Sequence, residues 1–101
     1  MKVHNKIVRD KIPEIIESQG NSPNTRILSE EEALDTLVEK LFEEANEFSD
    51  DRNLEELADL LEVIQSLAEL LGHTPEDLEK ARKEKVLKRG GFKKRIYLLG
   101  V

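Results

Sequence analysis

Two pairs of acids in adjacent segments carry the chemistry that this chain offers. Glu44 and Glu47 form one pair, Glu56 and Asp59 the other. Within each pair the spacing is i, i+3, which on an α-helix puts both carboxylates on one face a turn apart. Each pair sits on a face that otherwise reads as hydrophobic core. An acid in such a place must be paired, protonated or bound to a cation. Two antiparallel helices carrying these pairs would aim four carboxylates at one point, and oxygen clusters of that kind hold hard divalent cations.

Spacing alone is weak support, because the chain has 22 Asp and Glu, and Glu14/Glu17 and Glu76/Glu79 share it. The helical wheel, at about 100° per residue, separates the cases. In the second acidic segment Leu54, Leu61, Ala68, Leu57, Ile64, Leu71, Leu60 and Leu67 form one continuous apolar arc. Glu56 falls on it between Leu67 and Val63, and Asp59 lies at its edge beyond Leu70. Glu55, Glu62 and Glu69 fall on the opposite side, as solvent acids should. The preceding segment repeats the pattern. Its arc runs from Phe42 and Val38 to Leu37 and Ala33, Glu44 lies between the last two, and Glu47 is at the rim. Glu43 is further round, and Glu39 faces water.

The elements that must position these acids follow from caps and breakers. One domain spans residues 1–101. Residues 3–8 read as an extended lead-in, and a short helix fits Asp10 to Gln19, with Asp10 as N-cap and Gly20 as stop. The β-branched stretch Thr25 to Leu28 is expected to be a strand. Ser29, with Glu32 three residues on, makes a capping box for a second helix ending near Ser49. Residues 50–53 are short enough to force a hairpin. A third helix fits Leu54 to Leu71, ending at Gly72. Thr74, Pro75 and Asp77 start a fourth, which reaches Arg89 and breaks at Gly90-Gly91. Lys93 to Leu99 is an extended tail that could pair with the N-terminal lead-in. The fold class is therefore all-α: four helices with short extended ends. Its apolar arcs are too wide for so short a chain to cover, so a helical-bundle homo-oligomer is expected.

Composition bounds the rest. There is no cysteine, hence no disulfide and no thiolate chemistry, and His4 and His73 are too few for a zinc site. No apolar run suits a membrane span and no signal peptide is visible, so a soluble cytoplasmic protein with no membrane partner is the expectation. The formal charge of −6 conceals an asymmetry. Residues 30–79 hold 18 acids and two bases, whereas residues 80–95 hold nine bases and one acid. Such a chain suits a polyanionic ligand carrying a bound metal, which needs groups of both signs.

The acidic signature Glu43-Glu44-Ala45-Asn46-Glu47, followed by Glu56-Leu57-Ala58-Asp59, resembles the E-E-x-x-E and E-x-x-D motifs of the MazG-like all-α nucleoside triphosphate pyrophosphohydrolases. Asn5 to Pro13, read as Asn-Lys-Ile-Val-Arg-Asp-Lys-Ile-Pro, is similar to the opening of one small-protein subgroup, and Arg89-Gly90-Gly91-Phe92 to its ending. The relation to phosphoribosyl-ATP pyrophosphohydrolases is at superfamily level. The resemblance implies Mg²⁺, replaceable by Mn²⁺, held by Glu44, Glu47, Glu56 and Asp59. It implies that Glu43 orients water or holds a further metal, and that Lys85 and Arg89 meet phosphate oxygens. Arg9 and Lys11 are candidates for the same phosphates, or for salt bridges to the acidic middle. Two features depart from the pattern. The gap between the acidic motifs is eight residues, shorter than in many relatives, and Arg82 and Lys83 stand where some relatives carry Asn.

The implied reaction is hydrolysis of a nucleoside triphosphate at the α–β bond, giving nucleoside monophosphate and pyrophosphate. Phosphoribosyl-ATP is the alternative substrate. Two non-catalytic alternatives stand beside it. One is a nucleic-acid-binding or regulatory helical module, supported by the basic stretch from Lys80 to Arg95 and opposed by the acidic middle, which makes nucleic acid an unexpected partner. The other is a structural helical dimer.

Overall fold

The computed structural model describes residues 5–101, so Val3 and His4 of the expected lead-in lie outside the described residues. Four helices form: α1 (Ile12–Ser18), α2 (Glu30–Asp51), α3 (Leu54–Leu70) and α4 (Pro75–Arg89). No strand occurs among the described residues. Thr25 to Leu28 makes no ladder and Ile27 is almost fully exposed. The tail from Lys93 likewise pairs with nothing among the described residues. A β-branched stretch becomes a strand only beside a partner, and the N-terminal segment goes elsewhere: Ile7 to Asp10 lies along a groove of the helices.

The caps explain the boundaries. Ser29 Oγ accepts from the Glu32 N–H at 3.1 Å while Glu32 Oε1 accepts from the Ser29 N–H at 3.2 Å. Thr74 and Asp77 make the same reciprocal pair at 3.1 and 3.0 Å. Such caps are each worth about 1 kcal/mol. α1 starts two residues later than the sequence suggests, because Asp10 makes no side-chain cap and Lys11 holds the N-cap position. α2 runs two residues past Ser49. It ends where Arg52 turns left-handed (φ 49°) and returns its N–H to the Phe48 carbonyl at 2.8 Å. Asn53 then caps α3, its Oδ1 accepting from the Glu56 N–H at 2.9 Å.

Only Arg52 and Asn53 separate α2 from α3, and the two helices form the main packed unit, an antiparallel hairpin. Among the described residues only Val63 and Glu44 are buried, at 7% and 6% exposure, and none is fully enclosed. Each apolar arc of the sequence is divided in two. The ends that carry acids turn inward: Leu37, Glu44, Glu56, Val63, Leu67 and Leu70 are buried or half-buried. The other ends turn outward, with Phe42 67% and Leu54 80% exposed and Val38, Leu57, Leu61 and Leu71 also open. On the wheel both exposed ends fall on the same side of the hairpin, away from the acids.

α4 packs on α3 alone, and the tail beyond it is exposed, Phe92 at 95%. The molecule is accordingly elongated, 57 × 31 × 23 Å, with a radius of gyration of 17.6 Å, against about 13 Å for a compact domain of this length. No helix among the described residues is long and apolar enough to cross a membrane.

Candidate metal centre

The hairpin brings Glu44 of the first motif together with Glu56 and Asp59 of the second, while Glu43 and Glu47 group with Glu44 alone. One carboxylate oxygen from each of Glu44, Glu56 and Asp59 lies within 4.8 Å of the others, and the same holds for Glu43, Glu44 and Glu47. Glu44 belongs to both groups and joins them. Local structure fixes each member. Glu44 points into the α2–α3 interface from the middle of the long α2. Glu56 is the third residue of α3, held in the first turn by the Asn53 cap and close to the positive end of the helix dipole. Asp59 follows one turn on, half-buried at the groove edge.

The electrostatics are those of a site short of positive charge. Glu44 is 6% exposed, and its Oε2 is buried with no hydrogen-bond partner among the described residues, as is Glu56 Oε2. Burial, and then repulsion from Glu47, pushes the Glu44 carboxyl above the usual carboxylate range, with Lys40 opposing. A buried carboxylate oxygen without a donor is costly. Two of them in one all-oxygen cluster fit a hard cation as the missing partner.

Two cations already approach. Arg9 Nη2 donates to Asp59 Oδ1 at 2.6 Å, the salt-bridging role that the sequence allowed it. Lys40 Nζ lies 3.4 Å from both Glu43 Oε1 and Glu44 Oε1. Burial works against the charge of Lys40, but Glu43 and Glu44 outweigh it and its pKa is raised. Sequence reasoning missed Lys40, although its i, i+3 and i, i+4 spacing to Glu43 and Glu44 was the available signal.

Glu44 and Asp59 open into a groove of about 570 Å³ between the hairpin and the N-terminal segment, whereas Glu43, Glu47 and Glu56 do not line it. Arg9 and Asp10 line its acidic end, and Ala33, Leu37, Val63 and Leu70 form its apolar floor. Glu62 and Glu69 are exposed, as the wheel requires, yet both also line this groove. Lys85 and Arg89 do not line it, nor does Lys11; they are exposed and make no ion pair among the described residues.

The arrangement can chelate a cation through carboxylate oxygens, hold an anion against that cation, and seat an apolar group beside it. No family model matches the chain, and neither the curated proteins nor the solved structures contain a match to it.

Proposed function

We propose that this chain is a Mg²⁺-dependent nucleoside triphosphate pyrophosphohydrolase of the MazG-like all-α kind, cutting at the α–β phosphate bond. The observation that supports it most is the convergence of Glu44, Glu56 and Asp59, with two buried oxygens lacking any donor. Glu44, Glu47, Glu56 and Asp59 would hold Mg²⁺, or Mn²⁺ in its place. The ion supplies Lewis acidity at the phosphoryl group and charge neutralisation of the leaving pyrophosphate. Glu43, the most outward of the cluster on α2, would orient the attacking water or hold a further ion. Arg9, already at the groove, would meet phosphate oxygens, and Lys11, Lys85 and Arg89 would add positive charge around the triphosphate.

The active form in this reading is a homo-oligomer. The chain exposes 9429 Å², whereas a compact monomer of its mass exposes about 5,800 Å². Pairing two hairpins through Val38, Phe42, Leu54, Leu57 and Leu61 makes a four-helix bundle and leaves both acidic grooves outward.

The test is product analysis. With Mg²⁺ and a panel of nucleoside triphosphates, at least one should give nucleoside monophosphate and pyrophosphate. Orthophosphate as the first product would mean the wrong bond and would refute the assignment. Cleavage of phosphoribosyl-ATP alone would move it to that substrate, and binding of nucleic acid without any turnover would favour the non-catalytic module.

A further inference from the structure

The groove continues past the acid cluster, and its far wall has one chemical character. Glu62, Ser66 and Glu69 stand on successive turns of α3 above Asp59. Ser66 Oγ donates its hydrogen to the Glu62 carbonyl at 2.8 Å, so only its lone pairs remain for a ligand. Neither Glu62 nor Glu69 is ion-paired among the described residues. Every side-chain polar group on this wall is therefore an acceptor. The donors of the groove, Arg9 and Lys40, belong to its acidic end. The same groove is lined by the apolar Leu37, Val63 and Leu70 of the hairpin and by Ile7 and Val8 of the N-terminal segment, surfaces suited to a flat ring.

Distance along the helix links this wall to the cluster. At 1.5 Å rise per residue, Glu62 to Glu69 lie about 5 to 15 Å beyond Asp59. A nucleotide whose α-phosphate is held at the cluster would put its base over that stretch.

Resting on the pyrophosphohydrolase reading above, we propose that Glu62, Ser66 and Glu69 are the base-recognition wall and that they select a guanine-type base. Guanine offers N1–H and the 2-amino group side by side, two donors that match the two oxygens of one carboxylate. Uracil and thymine offer a single N–H between two carbonyls, which would face the carboxylates with like charge. Cytosine and adenine offer an amino group beside a bare ring nitrogen and rank between. Leaving a site's acceptors unpaired is what makes a polar wall discriminate.

The experiment is calorimetric binding, with Mg²⁺, of the α,β-methylene analogues of GTP and UTP, which cannot be cut at the α–β bond. The GTP analogue should bind about tenfold or more tightly, the scale of one hydrogen bond to a charged group. Glu62→Gln and Glu69→Gln should reduce that ratio, whereas Glu55→Gln, on the same helix but outside the groove, should leave it unchanged. All three positions are exposed, so circular dichroism should show the fold intact. Equal or tighter binding of the UTP analogue, or an unchanged ratio in both groove variants, would overturn the base assignment alone. Binding of neither analogue would overturn the pyrophosphohydrolase reading with it.

Discussion

The two faces of the α2–α3 hairpin are made from the same two apolar arcs, yet they do different things. On one face the arcs end in Glu44 and Glu56, each with a buried oxygen that has no donor among the described residues, and in Asp59, which takes its donor from Arg9 of the N-terminal segment. On the other face the arcs end in Phe42, Leu54 and Leu61, which stay open to solvent. One face thus buries charge that it cannot neutralise, and the other exposes apolar surface that it cannot cover. Each is incomplete in its own way. In the proposed reading a cation completes the first and a second copy of the chain covers the other.

The largest effect should come from the first face. Glu56→Ala or Asp59→Ala should lower Mg²⁺-dependent turnover by more than about a thousandfold, about 4 kcal/mol at 1.36 kcal/mol per decade, with helicity kept. Glu55→Ala is the proper control, since Glu55 is exposed and belongs to neither carboxylate group; Glu62, although exposed, lines the groove. Equal loss in the control would show that the faces are wrongly divided.

The second face is broken by charge. Phe42→Lys combined with Leu61→Lys should convert an oligomer to a monomer in light scattering. Anchors of this kind contribute about 2–4 kcal/mol each to a stable interface. A wild-type chain that is monomeric at micromolar concentration and fully active would contradict the proposed assembly.

Arg89→Ala asks whether the basic end completes the acidic face. It should raise KM or lower kcat by about one to two orders of magnitude, the scale of one charge-assisted phosphate contact of about 1.5–3 kcal/mol. The variant should bind divalent cation as the wild type does. Unchanged kinetics would reduce α4 to a solvated helix end whose Lys88 and Arg89 complement its dipole.

The smallest effect is in pH. The folded-state pKa of Glu44 is raised above its usual value of 4.5. The stability it contributes is therefore full below that value and is lost as pH rises through the raised folded pKa. Glu32 has the opposite sign. Hydrogen bonding to Arg26, and then the Ser29 N–H, lower it to about 2, so its contribution is present above 4.5 and lost as pH falls toward 2. Metal-free thermal melts should show Glu44→Gln more stable than wild type near neutrality and the gap closing toward pH 4.5. A gap that widens with acid would reverse the sign.

The two faces also differ in how far the sequence revealed them. The four helices, both capping boxes and the convergence of Glu44, Glu56 and Asp59 were legible, because caps and helical period are local. The division of each arc was not. A wheel shows that Leu54 and Val63 share an arc, but only the partner helix decides which of them it covers. The expected strand at Thr25 to Leu28 failed for the same reason, since a strand exists only through its neighbour. Lys40 was legible and overlooked. The double part played by Glu62 and Glu69 was not legible, because it depends on Ile7 and Val8 arriving from the other end of the chain to enclose the groove.

The most direct measurement of the central claim is Mn²⁺ binding, followed by electron paramagnetic resonance on the metal-free chain without nucleotide. Wild type should bind saturably, Mg²⁺ should compete, and Glu56→Gln or Asp59→Asn should weaken binding by about tenfold or more, whereas Glu55→Gln should match wild type. Equal binding by all four chains, or none by the wild type, would mean that these carboxylates do not form a metal site.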